Sequence, residues 1–136
     1  MSQTETVKLQ LTRQNAIEKA AEAVDGEVGS KTKVKFFSST EVGIPVYLPG
    51  FAYPLVITAE GDLKMDLYHE RWGSQKVVDR FIQAYGVAAV KEIAKEQNWG
   101  VISQATLEDG SVKIMLDGGS EREDIAHIDG GGAPTL

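Results

Sequence analysis

Within residues 63–116 the apolar positions change period twice, and this constrains the fold more than any other feature of the chain. Leu63, Met65 and Leu67 alternate with Lys64, Asp66 and Tyr68, the period of a half-buried strand. Val77, Val78, Phe81, Ile82 and Tyr85 then recur at helical spacing, and Val90, Ile93 and Ala94 carry the pattern to Gln97-Asn98. Ser74 offers an N-cap, and Gly86 interrupts the pattern midway, so it fits either one kinked helix or two short ones. Strand character returns over Trp99–Gln104 and Ser111–Leu116, with Glu108-Asp109-Gly110 as a hairpin turn between them.

The residues before this segment repeat the alternation of elements. Val7, Leu9 and Leu11 read as a first strand over Thr6–Leu11, and Thr12 then caps a helix whose apolar face is Ala16, Ile17, Ala20, Ala21 and Val24. Asp25-Gly26 supplies its stop. Val34 to Phe37 is a short strand, after which Pro45, Pro49 and Pro54 break the next twenty residues into pieces, among them a short strand at Val46–Leu48. Leu55–Ala59, a Glu60-Gly61-Asp62 turn and Leu63 onward form a second hairpin. This order predicts an α+β fold, a mainly antiparallel sheet with two helical segments packed on one face, with a ferredoxin-like arrangement as one candidate. Residues 1–117 are expected to form one domain, and the Gly-rich residues 118–136 a flexible tail.

Composition narrows the chemistry. The absence of cysteine removes disulfides, thiolate metal sites and cysteine nucleophiles. A net charge of −6 argues against nonspecific nucleic-acid binding, and the alternating Lys31, Lys33 and Lys35 read as a solvated edge that resists strand-to-strand aggregation. No run approaches the roughly 20 apolar residues of a membrane span, and no secretory pattern opens the chain, so a cytoplasmic location without membrane contact is expected.

His69 and His127 are the two imidazoles, placed in a hairpin and in the expected tail, so no metal site and no cofactor are anticipated. Neither a phosphate-binding glycine loop nor a nucleophile elbow is present, and no catalytic residue is assigned. On a continued strand Asp66, Tyr68, Glu70 and Trp72 would share one face, with the two carboxylates roughly 13 Å apart, too far for a glycosidase pair. Such a face suits recognition: Tyr68 and Trp72 supply contact area, and Glu70 and Asp66 pair with a basic partner, while His69 and Arg71 fall on the opposite parity. The Phe51-Ala52-Tyr53-Pro54 loop is a second candidate, through Phe51 and Tyr53. Phe36, Phe37 and Trp99 read as core residues.

The succession Trp72-Gly73, Phe81-Ile82-Gln83-Ala84-Tyr85, Val90 to Trp99 and Glu108-Asp109-Gly110-Ser111-Val112 resembles the uncharacterised family named after hypothetical chloroplast reading frame thirty-five. The likeness covers about residues 63–116, and the family's acid-Trp-Trp-Gly run stands here as Glu70-Arg71-Trp72-Gly73, with one tryptophan replaced. The resemblance implies an accessory role, a ring ATPase as partner and, for a plastid-encoded member, the stroma as location.

The favoured expectation is a non-catalytic accessory or adaptor domain that binds another protein through Tyr68, Glu70, Arg71, Trp72, Phe51 and Tyr53. One alternative is a small-molecule-binding regulatory domain, or an enzyme of unfamiliar type, with a pocket between the sheet and residues 38–54 and polar contacts from His69, Arg71 and Tyr85. Another is a homo-oligomeric structural subunit.

Overall fold

The computed structural model describes residues 3–108, 111–117 and 123–128. In chain order these form β1 (Glu5–Val7), α1 (Gln14–Ala23), β2 (Glu27–Val28), β3 (Thr32–Lys35), β4 (Thr40–Tyr47), β5 (Leu55–Ile57), β6 (Leu63–Met65), α2 (Gln75–Glu96), β7 (Gly100–Thr106), β8 (Val112–Asp117) and β9 (Glu123–Ile128). Every strand pairing is antiparallel, which makes the fold α+β as its alternating periods require. The first sheet runs β1-β6-β5-β4-β2 with β3 also on β4, and the second runs β7-β8-β9.

That order is not ferredoxin-like. Five strands separate the two helices, β1 lies at an edge, and the chain leaves the first sheet after α2 to build another. The cause lies in β4, which the three prolines were expected to break up. Pro45 stands inside this eight-residue strand, and its carbonyl accepts from Gly29 N at 2.9 Å. Its missing N–H faces the same side, where the pairing slips: four steps from Val28 to Thr32 meet three from Val46 to Gly43. A bulge opposite a proline leaves no ladder bond wanting a donor.

α2 is a single helix of 22 residues, about 33 Å long, so Gly86 is accommodated without a break. Its first half packs Val78, Phe81, Ile82, Tyr85 and Ala89 with α1 and with Val46, Leu55, Ile57, Leu63 and Met65 of the first sheet. Its last turns give Val90 and Ala94 to a second core with Val112, Ile114, Leu116 and Ile128, flanked by Trp99. Ser74 caps the N-terminus by accepting from Val77 N at 3.4 Å, as its position predicts. Both helices end in the same way. Asp25 and Asn98 take left-handed conformations, and the next amides, Gly26 N and Trp99 N, reach back to Ala21 O and Ala94 O at 2.8 and 2.7 Å.

Three sequence expectations shift. β1 spans three residues instead of reaching Leu11, because Leu9 N and Leu11 N turn to Asp62 Oδ1 and Gly61 O. Thr12 does not cap α1: Arg13 holds the N-cap position without a side-chain cap. In its place the Tyr85 hydroxyl accepts from Thr12 N and Arg13 N, both at 3.1 Å, and donates to Gln10 O at 3.0 Å. The stretch expected as a flexible tail contains β9, whose Ile128 is fully buried in the second core. A hexapeptide that opens with two acidic residues in a Gly-rich stretch forms a strand paired with β8. The Asp109-Gly110 turn and the rest of the expected tail lie outside the described residues.

Arg13 further ties α1 to the end of α2, bonding Glu96 at 2.7 Å and Glu92 at 3.3 Å. Its hydrogen bond with Glu96 raises the guanidinium pKa and lowers that of the Glu96 carboxyl. The Glu96 contribution is present above the ordinary carboxylate range and is lost as pH falls through the depressed folded value.

Tyr85→Phe leaves two amides and one carbonyl without their shared partner. It is expected to lower unfolding stability by about 1–3 kcal/mol in urea titration, and an unchanged midpoint would show that the hydroxyl does not act as the cap of α1.

Candidate functional site

β6 ends at Met65, and the next residues do not continue as a strand. Tyr68, His69 and Glu70 have φ of 45°, 52° and 67°, three successive non-glycine residues in the left-handed region. Left-handed backbone costs an L-residue roughly 1–2 kcal/mol, so a full turn of it persists only where its surroundings impose it. Here the impositions are visible. Trp72 N donates to Leu67 O at 2.9 Å, Arg71 N to Tyr68 O at 3.0 Å, and Tyr68 N to Asp66 Oδ1 at 3.2 Å. Ala52 N donates to Trp72 O at 2.8 Å, which binds the residue 51–54 loop to the turn. Gly73 lies so close to the Phe51 ring and Leu67 that a Cβ there would stand 2.6 Å from Phe51 ring carbons.

The expected strand face of Asp66, Tyr68, Glu70 and Trp72 therefore does not exist. Asp66 is buried at 2% exposure and braces the turn from below, with its Oδ2 without a hydrogen-bond partner. Glu70 is exposed on the turn, and His69 is exposed with its ring edge-on to Tyr68 at 6.1 Å.

The turn instead gathers aromatics from three segments. Trp72 stands 4.6 Å from Tyr68 and 5.4 Å from Tyr53, centroid to centroid, both at 68° between planes, and 5.7 Å from Phe37. Tyr53 in turn meets Phe36 at 5.7 Å, and the Arg71 guanidinium carbon lies 5.3 Å from the Tyr68 ring centre. Phe36 is buried with Val34 and Val56 on the back of the first sheet and anchors the group. Tyr53, Tyr68 and Trp72 are half-buried, and Phe37 is 62% exposed. The result is a continuous aromatic surface, rooted on one side and open on the other, with Arg71 and Glu70 at its margin.

Two candidates read separately from the sequence, the 68–72 segment and the 51–54 loop, are thus one site. Tyr53, Tyr68, Arg71 and Trp72 come together, while Phe51 packs inward against Gly73 and the main core. Phe37 was read as core. The signal that places it outside is its neighbour Phe36, because adjacent strand-like positions point to opposite faces. The set His69, Arg71 and Tyr85 does not assemble. Tyr85 is 4% exposed, with its hydroxyl engaged by three backbone groups at the start of α1.

Three clefts among the described residues are lined by none of residues 38–54: one of about 970 Å³ between the 8–13 segment, Glu60, Asp62 and the middle of α2, and two more open ones beside α1. Beside residues 38–54, Phe36 and Tyr53 pack with Val56. Among the described residues no group of three or more His, Asp or Glu side chains is placed to hold a metal ion, and no helix is long and apolar enough to cross a membrane. Compared with known proteins, the chain matches no family model, no curated protein and no solved structure.

Glu70→Gly relieves the last left-handed residue and is expected to raise stability by up to about 1 kcal/mol, while Glu70→Val is expected to lower it by at least as much. Chemical denaturation of both variants reads the sign, and equal effects would mean that the turn carries no left-handed strain.

Proposed function

We propose that the protein is a non-catalytic adaptor that binds another protein through the aromatic surface of Phe37, Tyr53, Tyr68 and Trp72, with Arg71 and Glu70 at its rim. The observation that supports this reading is the pairing of strain with exposure: three left-handed residues hold Tyr68 and Trp72 beside a Phe37 that stays 62% exposed. A core that needed only to be sealed would bury the Phe37 ring as it buries that of Phe36. Backbone strain and exposed aromatics held in fixed positions are the usual marks of a surface kept for recognition, where Trp, Tyr and Arg carry most of the contact energy. The rings are mutually packed and therefore rigid before any partner arrives, so little side-chain entropy remains to be lost on binding. A ring ATPase, the partner implied by the family resemblance, falls within this reading.

Capture from lysate with a tagged full-length chain tests the proposal. Phe37→Ser removes the exposed ring without touching the buried cores, and Trp72→Ala removes the ring at the centre of the group. A stoichiometric partner is expected to lose at least tenfold in affinity to each variant, a loss of about 1.4 kcal/mol or more. Retention of the partner at full strength by both folded variants would remove the aromatic surface from the account of function.

A further inference from the structure

The β3–β4 hairpin carries two unlike faces. On one, Val34 and Phe36 pack with Val56 and Tyr53, and Glu41, opposite Val34, reaches Lys64 at 3.7 Å. On the other, Lys33 stands opposite Val42 and Lys35 opposite Thr40, and all four are exposed. Further along β4 on that side, Ile44 and Val46 pack into the core that both helices share, so the helical cover ends before Val42, which is 48% exposed. The hairpin closes with Phe36 N donating to Ser39 O at 2.8 Å, and Phe37, next in the parity of Lys33 and Lys35, is the exposed ring beside Trp72. The lysine face therefore runs into the aromatic surface.

Charge on this face is uncompensated. Lys31, Lys33 and Lys35 are exposed, and none of them forms an ion pair among the described residues. No Asp or Glu lies between Glu27 and Glu41 in the chain, and Glu41 is taken up by Lys64 on the opposite face. Arg71, at the margin of the aromatic surface, adds a fourth exposed cation against the exposed carboxylate of Glu70. This concentration of positive charge stands in a chain whose net charge is −6. Guarding an edge strand accounts for the lysines, but not for the Val42 and Phe37 side chains left exposed among them.

We propose that this face binds an extended acidic segment of another protein, with carboxylates at alternate positions on Lys33 and Lys35 and an apolar side chain on Phe37. The inference rests on the adaptor reading and adds to it the chemistry of the partner. Charge selects the occupant. Lys33 and Lys35 lie two residues apart on one strand, about 7 Å, which is also the spacing of alternate side chains in an extended peptide. A basic segment meets like charge here, and a neutral one leaves the lysines without a counterion. Nucleic acid shares the negative sign, but the net charge of −6 opposes its phosphates everywhere away from this face. Exposed ion pairs contribute little each, so Val42 and Phe37 supply the contact area and the lysines the selection.

A displayed library of random dodecapeptides, selected on the immobilised full chain, reads this preference directly. The selected sequences are expected to be enriched in Asp and Glu at positions two apart, beside an aliphatic or aromatic residue. The leading peptide, titrated by fluorescence anisotropy, is expected to bind at least tenfold more weakly to the double variant Lys33→Gln with Lys35→Gln, which changes exposed positions only. It is expected to keep its affinity for Lys33→Arg with Lys35→Arg, and to bind less tightly to the natural chain as salt is raised. Selected peptides without acidic enrichment overturn the proposal, as do an empty selection and a leading peptide that the glutamine variant binds unchanged. Tighter binding of an oligothymidylate than of the leading peptide also overturns it, and gives the face to nucleic acid. Trp72→Ala separates this inference from the adaptor reading. Acid-poor peptides that this variant fails to bind refute the acidic segment and leave the aromatic surface standing, whereas acidic peptides that it binds at full strength support the lysine face and remove Trp72 from the adaptor surface.

Discussion

The structure depends on one helix serving two cores. α2 gives Val78, Phe81, Ile82, Tyr85 and Ala89 to the first sheet, then Val90 and Ala94 to the second, without a break at Gly86. Neither sheet has another source of apolar cover on that scale. α1 offers mainly alanines and Ile17, and a three-stranded sheet alone in water is marginal. The length of α2 follows from this double duty, since about 33 Å lets a first half and a second half face different partners. Its ends are fixed accordingly, by the Ser74 cap at one end and the Asn98 reversal at the other. Tyr85, near the middle, reaches across to hold the entry of α1.

The candidate site follows from where that helix must begin. Met65 ends β6 in the sheet and Ser74 starts α2 on the layer above it, so eight residues have to change direction and layer. Three of those eight take the left-handed conformation, Asp66 braces them from below, and the 51–54 loop is hydrogen-bonded to their far end. The aromatic group is therefore carried on the connection between the sheet and its principal helix. Its rigidity is inherited from the core, and its exposure is the consequence of lying on the outside of that change of direction. An adaptor surface built in this way needs no movement to present itself.

Much of this was legible in the residues. The long helical period, the Ser74 cap, the Asp25-Gly26 and Gln97-Asn98 stops and both hairpins are local signals, and they stand in the structure where local chemistry puts them, save that the tip of the last hairpin lies outside the described residues. What escaped was decided at a distance. β4 crosses Pro45 because a neighbouring bulge makes the lost donor harmless, and β9 forms because β8 lends it a ladder. The strand-like alternation from Asp66 to Trp72 misled for a related reason. Period two was real in the sequence, but the turn that replaces it is held by backbone bonds to Leu67 and Ala52, which no periodicity records. The convergence of Tyr53 with Trp72 is likewise a tertiary fact, although Tyr53 was visible as a loop aromatic and Trp72 at the end of the strand expected from Asp66.

The most direct measurement is photocrosslinking in living cells, with a photoreactive phenylalanine analogue placed at Phe37 in one strain and at Tyr47 in another. Both positions are exposed, at 62% and 50%; Phe37 precedes β4 and Tyr47 is its last residue, so the second controls for chance encounters. If the aromatic surface is the working face of an adaptor, position 37 yields one dominant adduct with another protein and position 47 does not. An identical set of adducts from both positions, or none from position 37, would contradict it.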